Sequence, residues 1–202
     1  PYPKTMIELV PSERADVIVD FAQYSPGTQV ILRNCATCTD RTAYVMRFDV
    51  ELPGAGDAIV PDCLAPWEDL PVTDQTVTRQ FTLNRMTTPG GTMWTINGQT
   101  FDLNMTPLAQ VKHGAVERWR FLNPTNHPHP VHIHLIQFQV LEINGVAQDP
   151  SQHGWKDTLV APPGGSIVVA ARFEGYTGRY LFHCHNLEHE DLGMMADYEI
   201  VP

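Results

Sequence analysis

The strongest constraint in this sequence is a thirteen-residue segment, residues 183–195, that contains three histidines, one cysteine and two methionines. Only residues 129–134, with the sequence His-Pro-Val-His-Ile-His, match its density of such side chains. Imidazole, thiolate and thioether groups are the donors that copper takes in proteins. The two segments together therefore hold the donor types of a copper site.

The spacing divides these side chains into two groups. Residues 178–182 lead into the second segment and have the pattern of a strand, on which alternate side chains face opposite ways. His183 and His185 then share one face and Cys184 takes the other. His132 and His134 share a face by the same rule, whereas His129 lies an odd number of steps away. Group one is His129, Cys184, His189 and a methionine, and group two is His132, His134, His183 and His185.

The two groups predict different copper chemistry. Two imidazoles and a thiolate with a weak axial thioether are the ligands of a blue copper centre, which fits group one. Group two is all imidazole and suits a copper cluster that binds and reduces dioxygen. Because Cys184 is covalently joined to His183 and His185, it offers a short electron path between the groups.

These segments resemble the C-terminal signature of the multicopper oxidases, in the laccase group, and are most like spore-coat-type bacterial laccases and bilirubin oxidases. The family pattern HPxHxH falls on residues 129–134, and HCHxxxH with a following axial methionine falls on residues 183–194. Residues 154–158 also resemble the family. The resemblance implies that the type 1 copper ligands are His129, Cys184, His189 and Met194. It further implies His132 as the type 2 ligand and His134, His183 and His185 as type 3 ligands.

The function implied by the resemblance is one-electron oxidation of phenolic or other small aromatic donors, coupled to four-electron reduction of dioxygen to water. Cys184, His183 and His185 would carry the electrons, and Glu190 is a candidate proton relay. Asp157 is a candidate for orienting a ligand histidine. The methionines are scattered apart from Met194 and Met195, which favours an organic donor over cuprous ion.

Several alternatives stay open or are weighed against this prediction. A mononuclear blue copper electron-transfer module would need group one alone, and a copper-storing or structural sandwich would not need the complete group-one set. Met195 could replace Met194 as the axial ligand. His113, His127 and His153 are predicted to be ordinary surface or core histidines. The scattered cysteines exclude a four-cysteine zinc site.

Many short alternating segments separated by Gly and Pro turns predict an all-β, cupredoxin-like Greek-key sandwich. The expected strands are residues 6–10, 15–21, 28–32, 43–50, 77–83, 94–101 with an Asn-Gly turn at 97–98, 116–122, 131–143 closing at the Asn-Gly turn 144–145, 166–173, 179–182 and 197–201. The predicted organisation is the end of a middle cupredoxin domain at 1–60, a linker at 61–76 and a C-terminal copper-binding domain at 77–202. The chain would thus hold one complete domain and the closing strands of a preceding one.

Charge and cysteine usage limit the partners. The net charge of −10 argues against nucleic acid and anionic membrane surfaces, and no run of eighteen apolar residues predicts a membrane span. Cys35, Cys38 and Cys63 cannot all pair with one another, so one of them could pair with a segment outside this sequence. The compartment stays open, with an extracytoplasmic, secreted or spore-coat location favoured.

The family's trinuclear cluster requires eight histidines, and group two supplies four. By resemblance, the others come from HxH pairs in an N-terminal domain. The two HxH triplets of this sequence that could contribute to the cluster, residues 132–134 and 183–185, are already counted in group two. We therefore expect an N-terminal portion of the same oxidase as a partner, whether cleaved, missing or a separate chain.

Overall fold

The computed structural model describes residues 1–36, 41–51 and 59–202. These residues form two compact units. The first unit is Pro1 with Ala15–Leu64, and the second is Tyr2–Arg14 with Ala65–Pro202. Cys38 lies outside the described residues, as do residues 52–58 near the end of the predicted segment 1–60. No helix among the described residues is long and apolar enough to span a membrane.

In the first unit, the described residues form an antiparallel strand pair, β1 (Gln29–Arg33) and β2 (Tyr44–Asp49), with a 3₁₀ turn at Arg41–Ala43. Large apolar side chains of both strands are exposed, including Leu32 at 52% and Tyr44 at 64%. The strand expected at residues 15–21 does not form, and neither does that at residues 6–10 in the second unit. Alternation alone does not make a strand, because each needs a neighbour to complete its backbone hydrogen bonds.

The second unit is a β-sandwich with two very short helices. Its strands are β3 (Thr78–Thr88), β4 (Gly91–Ile96), β5 (Ala109–Lys112), β6 (Val116–Asn123), β7 (His129–Ile133), β8 (Phe138–Ile143), β9 (Val146–Ala147), β10 (Thr158–Ala161), β11 (Gly165–Arg172), β12 (Gly178–Cys184) and β13 (Met195–Val201). The helices are α1 (Pro150–His153) and α2 (Leu187–Asp191).

Two sheets enclose one core. One sheet has the order β4-β3-β6-β11-β8-β9, and the other has the order β10-β7-β12-β13-β5. Strict alternation along β6 buries Trp119 and Phe121, whose rings pack with Phe81 on the neighbouring β3 and with Phe182 of the opposite sheet. The architecture is the predicted cupredoxin-like Greek-key sandwich.

One expected strand is two strands in the structure. Residues 131–143 were predicted to run without a break, but β7 ends at Ile133 and β8 begins at Phe138. Between them Leu135 has a φ of +67°, and the chain crosses from one sheet to the other. The break leaves His134 just past β7, where its N–H donates to the carbonyl of Leu181.

The two Asn-Gly signals are confirmed as turns. Asn97 and Gly98 have φ values of 53° and 79°, and Asn144 and Gly145 have 53° and 75°. These are the left-handed conformations that Asn-Gly pairs supply in tight hairpins. The second turn joins β8 to β9, as its position predicted.

Asn123, the last residue of β6, fixes the loop that leads to His129. It is fully buried. Its amide nitrogen lies 2.8, 2.9 and 3.0 Å from the carbonyl oxygens of His127, Ala161 and Pro162. Its amide oxygen accepts from the N–H and the hydroxyl of Thr125. One side chain thus ties the end of β6 to β10 and to the loop before β7.

We predict that Asn123→Ala lowers the free energy of unfolding by about 3 kcal/mol, because it leaves several buried carbonyl and N–H groups without hydrogen-bond partners at once. Urea denaturation measures this loss. Asn84→Ala, at an exposed position of β3, is the matched control and should change stability by less than about 0.5 kcal/mol. Equal effects of the two substitutions would contradict the role given to Asn123.

Candidate metal centre

The two histidine-rich segments lie side by side because β7 and β12 are antiparallel neighbours. His132 is directly opposite His183, and Val131 is directly opposite Cys184. The chain just after β12 is also held to β7, since the His185 N–H donates to the Pro130 carbonyl at 2.7 Å. The ligating atoms of His129, Cys184 and His189 form one cluster, and those of His132, His134 and His183 form another.

The nitrogen and sulfur atoms of group one form a tight triangle. His129 Nδ1 lies 3.0 Å from His189 Nδ1, and Cys184 Sγ lies 3.6 and 3.5 Å from these two nitrogens. A point in the plane of the three atoms is about 2 Å from each, near the length of metal–nitrogen and metal–thiolate bonds. The cluster therefore fits a metal ion in trigonal coordination.

The short segment from α2 to β13 brings the remaining members of group one into place. The His189 N–H donates to the Asn186 carbonyl at the start of α2, and the Met194 N–H donates to the His189 carbonyl. Gly193 has a φ of +99°, and a Cβ there would lie 2.9 Å from Thr100 Cβ, so only glycine fits. Met194 is fully buried, whereas Met195 is half-buried. Burial favours Met194 as the axial thioether.

The ring of His129 is held in one orientation by Thr125. Its Nε2 lies 2.9 Å from Thr125 Oγ1, and that hydroxyl lies 2.7 Å from Asn123 Oδ1. An amide oxygen can only accept, so the hydroxyl donates to it and accepts from His129 Nε2–H. The proton is therefore assigned to Nε2, which leaves Nδ1 bare toward Cys184.

An indole ring packs against group one. The Trp94 and His189 ring centroids are 3.9 Å apart at 35°, and Trp94 meets His129 edge-on at 5.3 Å. The exposed His127 ring lies 5.6 Å from Trp94 and 6.1 Å from His189. His127 was predicted to be an ordinary histidine, and it lies at the border of this centre.

Group two is looser and retains some solvent exposure. His134 Nε2 lies 3.1 Å from His183 Nε2, and the His132 ring is 5.0 and 5.4 Å from these two rings. The His185 ring lies 5.6 Å from His132 and 5.3 Å from His183. His185 is thus adjacent to the cluster, although its ligating atoms lie outside the tight set of three.

Backbone and carboxylate groups surround the outer nitrogens of group two. His132 Nδ1 lies 3.0 Å from the Asp157 carbonyl oxygen and 3.0 Å from Thr158 Oγ1. His183 Nδ1 lies 3.4 Å from a Glu190 carboxylate oxygen and 3.3 Å from the Cys184 carbonyl. These contacts favour protons on Nδ1 and leave the Nε2 atoms for a metal.

Burial keeps the group-one ligands neutral in the metal-free protein. Burial, followed by the nearby charges of His189 and His127, lowers the pKa of His129 to about 3. Burial raises the pKa of the Cys184 thiol to about 12. Burial also lowers the pKa of His132, His134 and His183. A metal that binds Cys184 must therefore displace the thiol proton.

Sequence reasoning did not identify Trp94, Thr125 or Asn123 as parts of this centre. Trp94 lies thirty-five residues before His129, the nearest candidate ligand, and showed only the alternation of a core strand. Thr125 and Asn123 are separated from His129 by a Pro-containing loop whose path the sequence pattern does not define. The one sequence signal for such a contact was Thr125, a polar residue four positions before the predicted ligand His129.

Comparison with known proteins links this chain to one family. The profile of the multicopper oxidases matches residues 71–202. The chain is 34% identical to the laccase of Bacillus subtilis, over 95% of this chain and 42% of that protein. It is 36% identical to the bilirubin oxidase of Albifimbria verrucaria, over 98% of this chain and 36% of that protein.

Solved structures give the same result. The laccase of Pediococcus acidilactici superposes with a TM-score of 0.75 at 29% identity, over 91% of this chain and 38% of that one. The McoA multicopper oxidase of Aquifex aeolicus gives 0.75 at 30% identity, over 91% of this chain and 43% of that one. The chain thus spans about two fifths of the length of these proteins.

We predict that the metal-free protein loses stability on acidification because His129 stays neutral when folded and is protonated when unfolded. Between its ordinary pKa of 6.5 and its folded pKa of about 3, the unfolded state binds the extra proton. The free energy of unfolding then falls by up to about 1.4 kcal/mol per pH unit. His129→Gln should reduce the loss between pH 7 and pH 5 by about 2 kcal/mol.

Urea denaturation at the two pH values measures this difference. His113→Gln, which replaces an exposed histidine, is the control and should show the same pH dependence as the unsubstituted protein. If His129→Gln and His113→Gln behave alike, His129 is not held neutral by the fold.

Proposed function

Since this chain belongs to the multicopper oxidase family, we propose that it is the C-terminal part of a laccase-like oxidase. Group one would hold a type 1 copper, and group two would contribute to a trinuclear copper cluster. The observation that carries this proposal is the position of Cys184, which lies in the group-one triangle and is bonded through the backbone to two group-two histidines.

Copper is the cofactor of this family, and bound here it would supply one-electron chemistry, so that electrons taken singly from a donor reduce dioxygen to water. In group one the residues proposed to bind it are His129, Cys184, His189 and Met194. The buried setting of these side chains keeps water away from the thiolate. Such exclusion and the weak axial ligand are what tune the potential of a blue copper site.

Cys184 would connect the two groups. Its sulfur faces His129 and His189, while its backbone leads directly to His183 and to His185. The Cys184 N–H donates to the Met194 carbonyl, and the His185 N–H donates to the Pro130 carbonyl. These bonds hold the path rigid, and a rigid path limits the reorganisation that accompanies each electron transfer.

In group two we propose His132 for the type 2 copper and His134, His183 and His185 for the type 3 pair. The chain covers 42% of the Bacillus subtilis laccase. We propose that an N-terminal portion of the same oxidase supplies the remaining histidines. The proposed organisation is a middle-domain end at 1–60, a linker at 61–76 and the copper-binding domain at 77–202.

Glu190 is proposed to carry protons toward group two. Its carboxylate oxygen lies 3.4 Å from His183 Nδ1, and its side chain is 29% exposed. A carboxylate that reaches both solvent and the cluster can pick up a proton on one side and release it on the other. The same contact also orients the His183 ring.

The proposed donors are phenols and other small aromatic molecules. Relatives named as a laccase and a bilirubin oxidase support this class. The alternative is a mononuclear blue copper module that only transfers electrons. Such a module has no use for group two, and the 3.1 Å approach of His134 Nε2 to His183 Nε2 supports the oxidase instead.

We predict that Cys184→Ser abolishes the intense thiolate-to-copper absorption of the copper-loaded protein, because a hydroxyl of similar volume replaces the soft donor. Visible absorption and electron paramagnetic resonance measure this loss, and circular dichroism checks the fold. Cys63→Ser, at an exposed cysteine, is the control and should stay blue. A blue Cys184→Ser protein would remove Cys184 from the type 1 site.

We predict that Met194→Leu retains blue copper but raises its reduction potential, because loss of the axial thioether favours the reduced ion. Met195→Leu is the matched control at the adjacent, half-buried residue and should leave the potential unchanged. Redox titration of the two variants decides between them. A shift in Met195→Leu alone would assign the axial position to Met195.

A further inference from the structure

We propose that Arg14, which is distant in sequence from both histidine-rich segments, is a positioning residue for His132. It would act through Asp157 and Thr158, which link its guanidinium to His132 Nδ1. The inference rests on the proposed function, because it concerns the type 2 copper ligand of group two.

The first step of the link is a forked ion pair. Arg14 Nη1 donates to Asp157 Oδ1 at 2.5 Å, and Nη2 donates to Oδ2 at 2.8 Å. Arg14 Nη1 also donates to the Ser12 carbonyl at 2.9 Å, which fixes the guanidinium on its own segment. Two parallel bonds fix the plane of a carboxylate as well as its position. The Arg14 side chain is 63% exposed, so orientation matters here more than the energy of the pair.

The second step passes through the Thr158 hydroxyl. Thr158 Oγ1 lies 3.0 Å from Asp157 Oδ1 and 3.0 Å from His132 Nδ1. The Asp157 carboxylate already accepts two guanidinium N–H bonds from Arg14, so it also accepts from the Thr158 hydroxyl, whose proton points to Asp157.

The direction of that hydroxyl sets the state of His132. With its proton committed to Asp157, Thr158 Oγ1 can only accept from His132, so the imidazole proton belongs on Nδ1. The Asp157 carbonyl, 3.0 Å from the same nitrogen, favours the same tautomer. The bare Nε2 is then available to a metal. Arg14 would hold the carboxylate that orders this arrangement.

A neighbouring ion pair holds the same segment without touching His132. Lys156 Nζ lies 3.0 Å from Glu13 Oε1 and donates to the Arg14 carbonyl at 3.2 Å. Neither bond involves the Asp157 carboxylate. If residues 12–14 only fasten this part of the chain, loss of either ion pair should have similar effects. If Arg14 positions His132, only the loss of the Arg14–Asp157 ion pair should weaken the binding of type 2 copper.

The test uses the copper-loaded whole oxidase, which contains this chain together with the proposed N-terminal portion, dialysed against increasing concentrations of EDTA. The type 2 signal in electron paramagnetic resonance and total copper are followed beside the blue type 1 absorption. Arg14→Gln should lose type 2 copper at an EDTA concentration about tenfold lower than the unsubstituted protein requires. Loss of a residue that supports a metal ligand weakens metal binding by about 10- to 100-fold, and we expect the low end because the Asp157 carbonyl still contacts His132. The blue absorption should be unchanged. Thr158→Val should behave similarly, and the double variant should be little worse than either single one.

Two controls separate positioning from fastening. Lys156→Met should retain type 2 copper like the unsubstituted protein. Arg14→Lys should be intermediate, because it keeps the charge but loses the fork. Retention of type 2 copper by Arg14→Gln, or equal loss in Lys156→Met, would overturn the role of Arg14. If the unsubstituted protein binds no type 2 copper while it is blue, the proposed cluster itself fails, and the inference fails with it.

Discussion

The position of Cys184 between two histidines on β12 is the constraint on which the rest of the centre depends. Alternation turns its sulfur to the side opposite its neighbours, and the antiparallel pairing with β7 sets His132 against His183. Two groups of candidate metal ligands therefore share one strand while facing different environments. A shift of one residue in this pairing would exchange the faces and break both groups.

The two groups differ in their exposure to solvent. The fully buried His129 and Cys184 are held neutral without a metal, and a copper ion would meet a closed, preformed triangle. Group two stays partly open to solvent. In both groups, polar contacts to a ring nitrogen orient the histidines: Thr125 contacts His129 in group one, and Thr158 and Glu190 contact His132 and His183 in group two. Each contact fixes a tautomer, so geometry and proton position are set together.

The two candidate ligand groups could be defined from the sequence because their spacing is a local pattern. A period of two assigned His183, Cys184 and His185 to their faces, and the Asn-Gly turns followed from the positive φ that they require. Other features depend on distant partners and could not be predicted this way. Residues 6–10 and 15–21 alternate but form no strand in the described structure. The break at Leu135 arises because the chain changes sheets there. Trp94 and Arg14 reach the centre only through the tertiary fold.

The central claim is that one strand serves two separate copper sites, and anomalous diffraction at the copper absorption edge tests it most directly. Crystals of the copper-loaded whole oxidase, with the proposed N-terminal portion, should show one peak inside the triangle of His129, Cys184 and His189. Further density should lie beside His132, His134 and His183, on the other side of the strand. A single peak at the triangle alone would support an electron-transfer module, and a peak that avoids Cys184 would contradict the account as a whole.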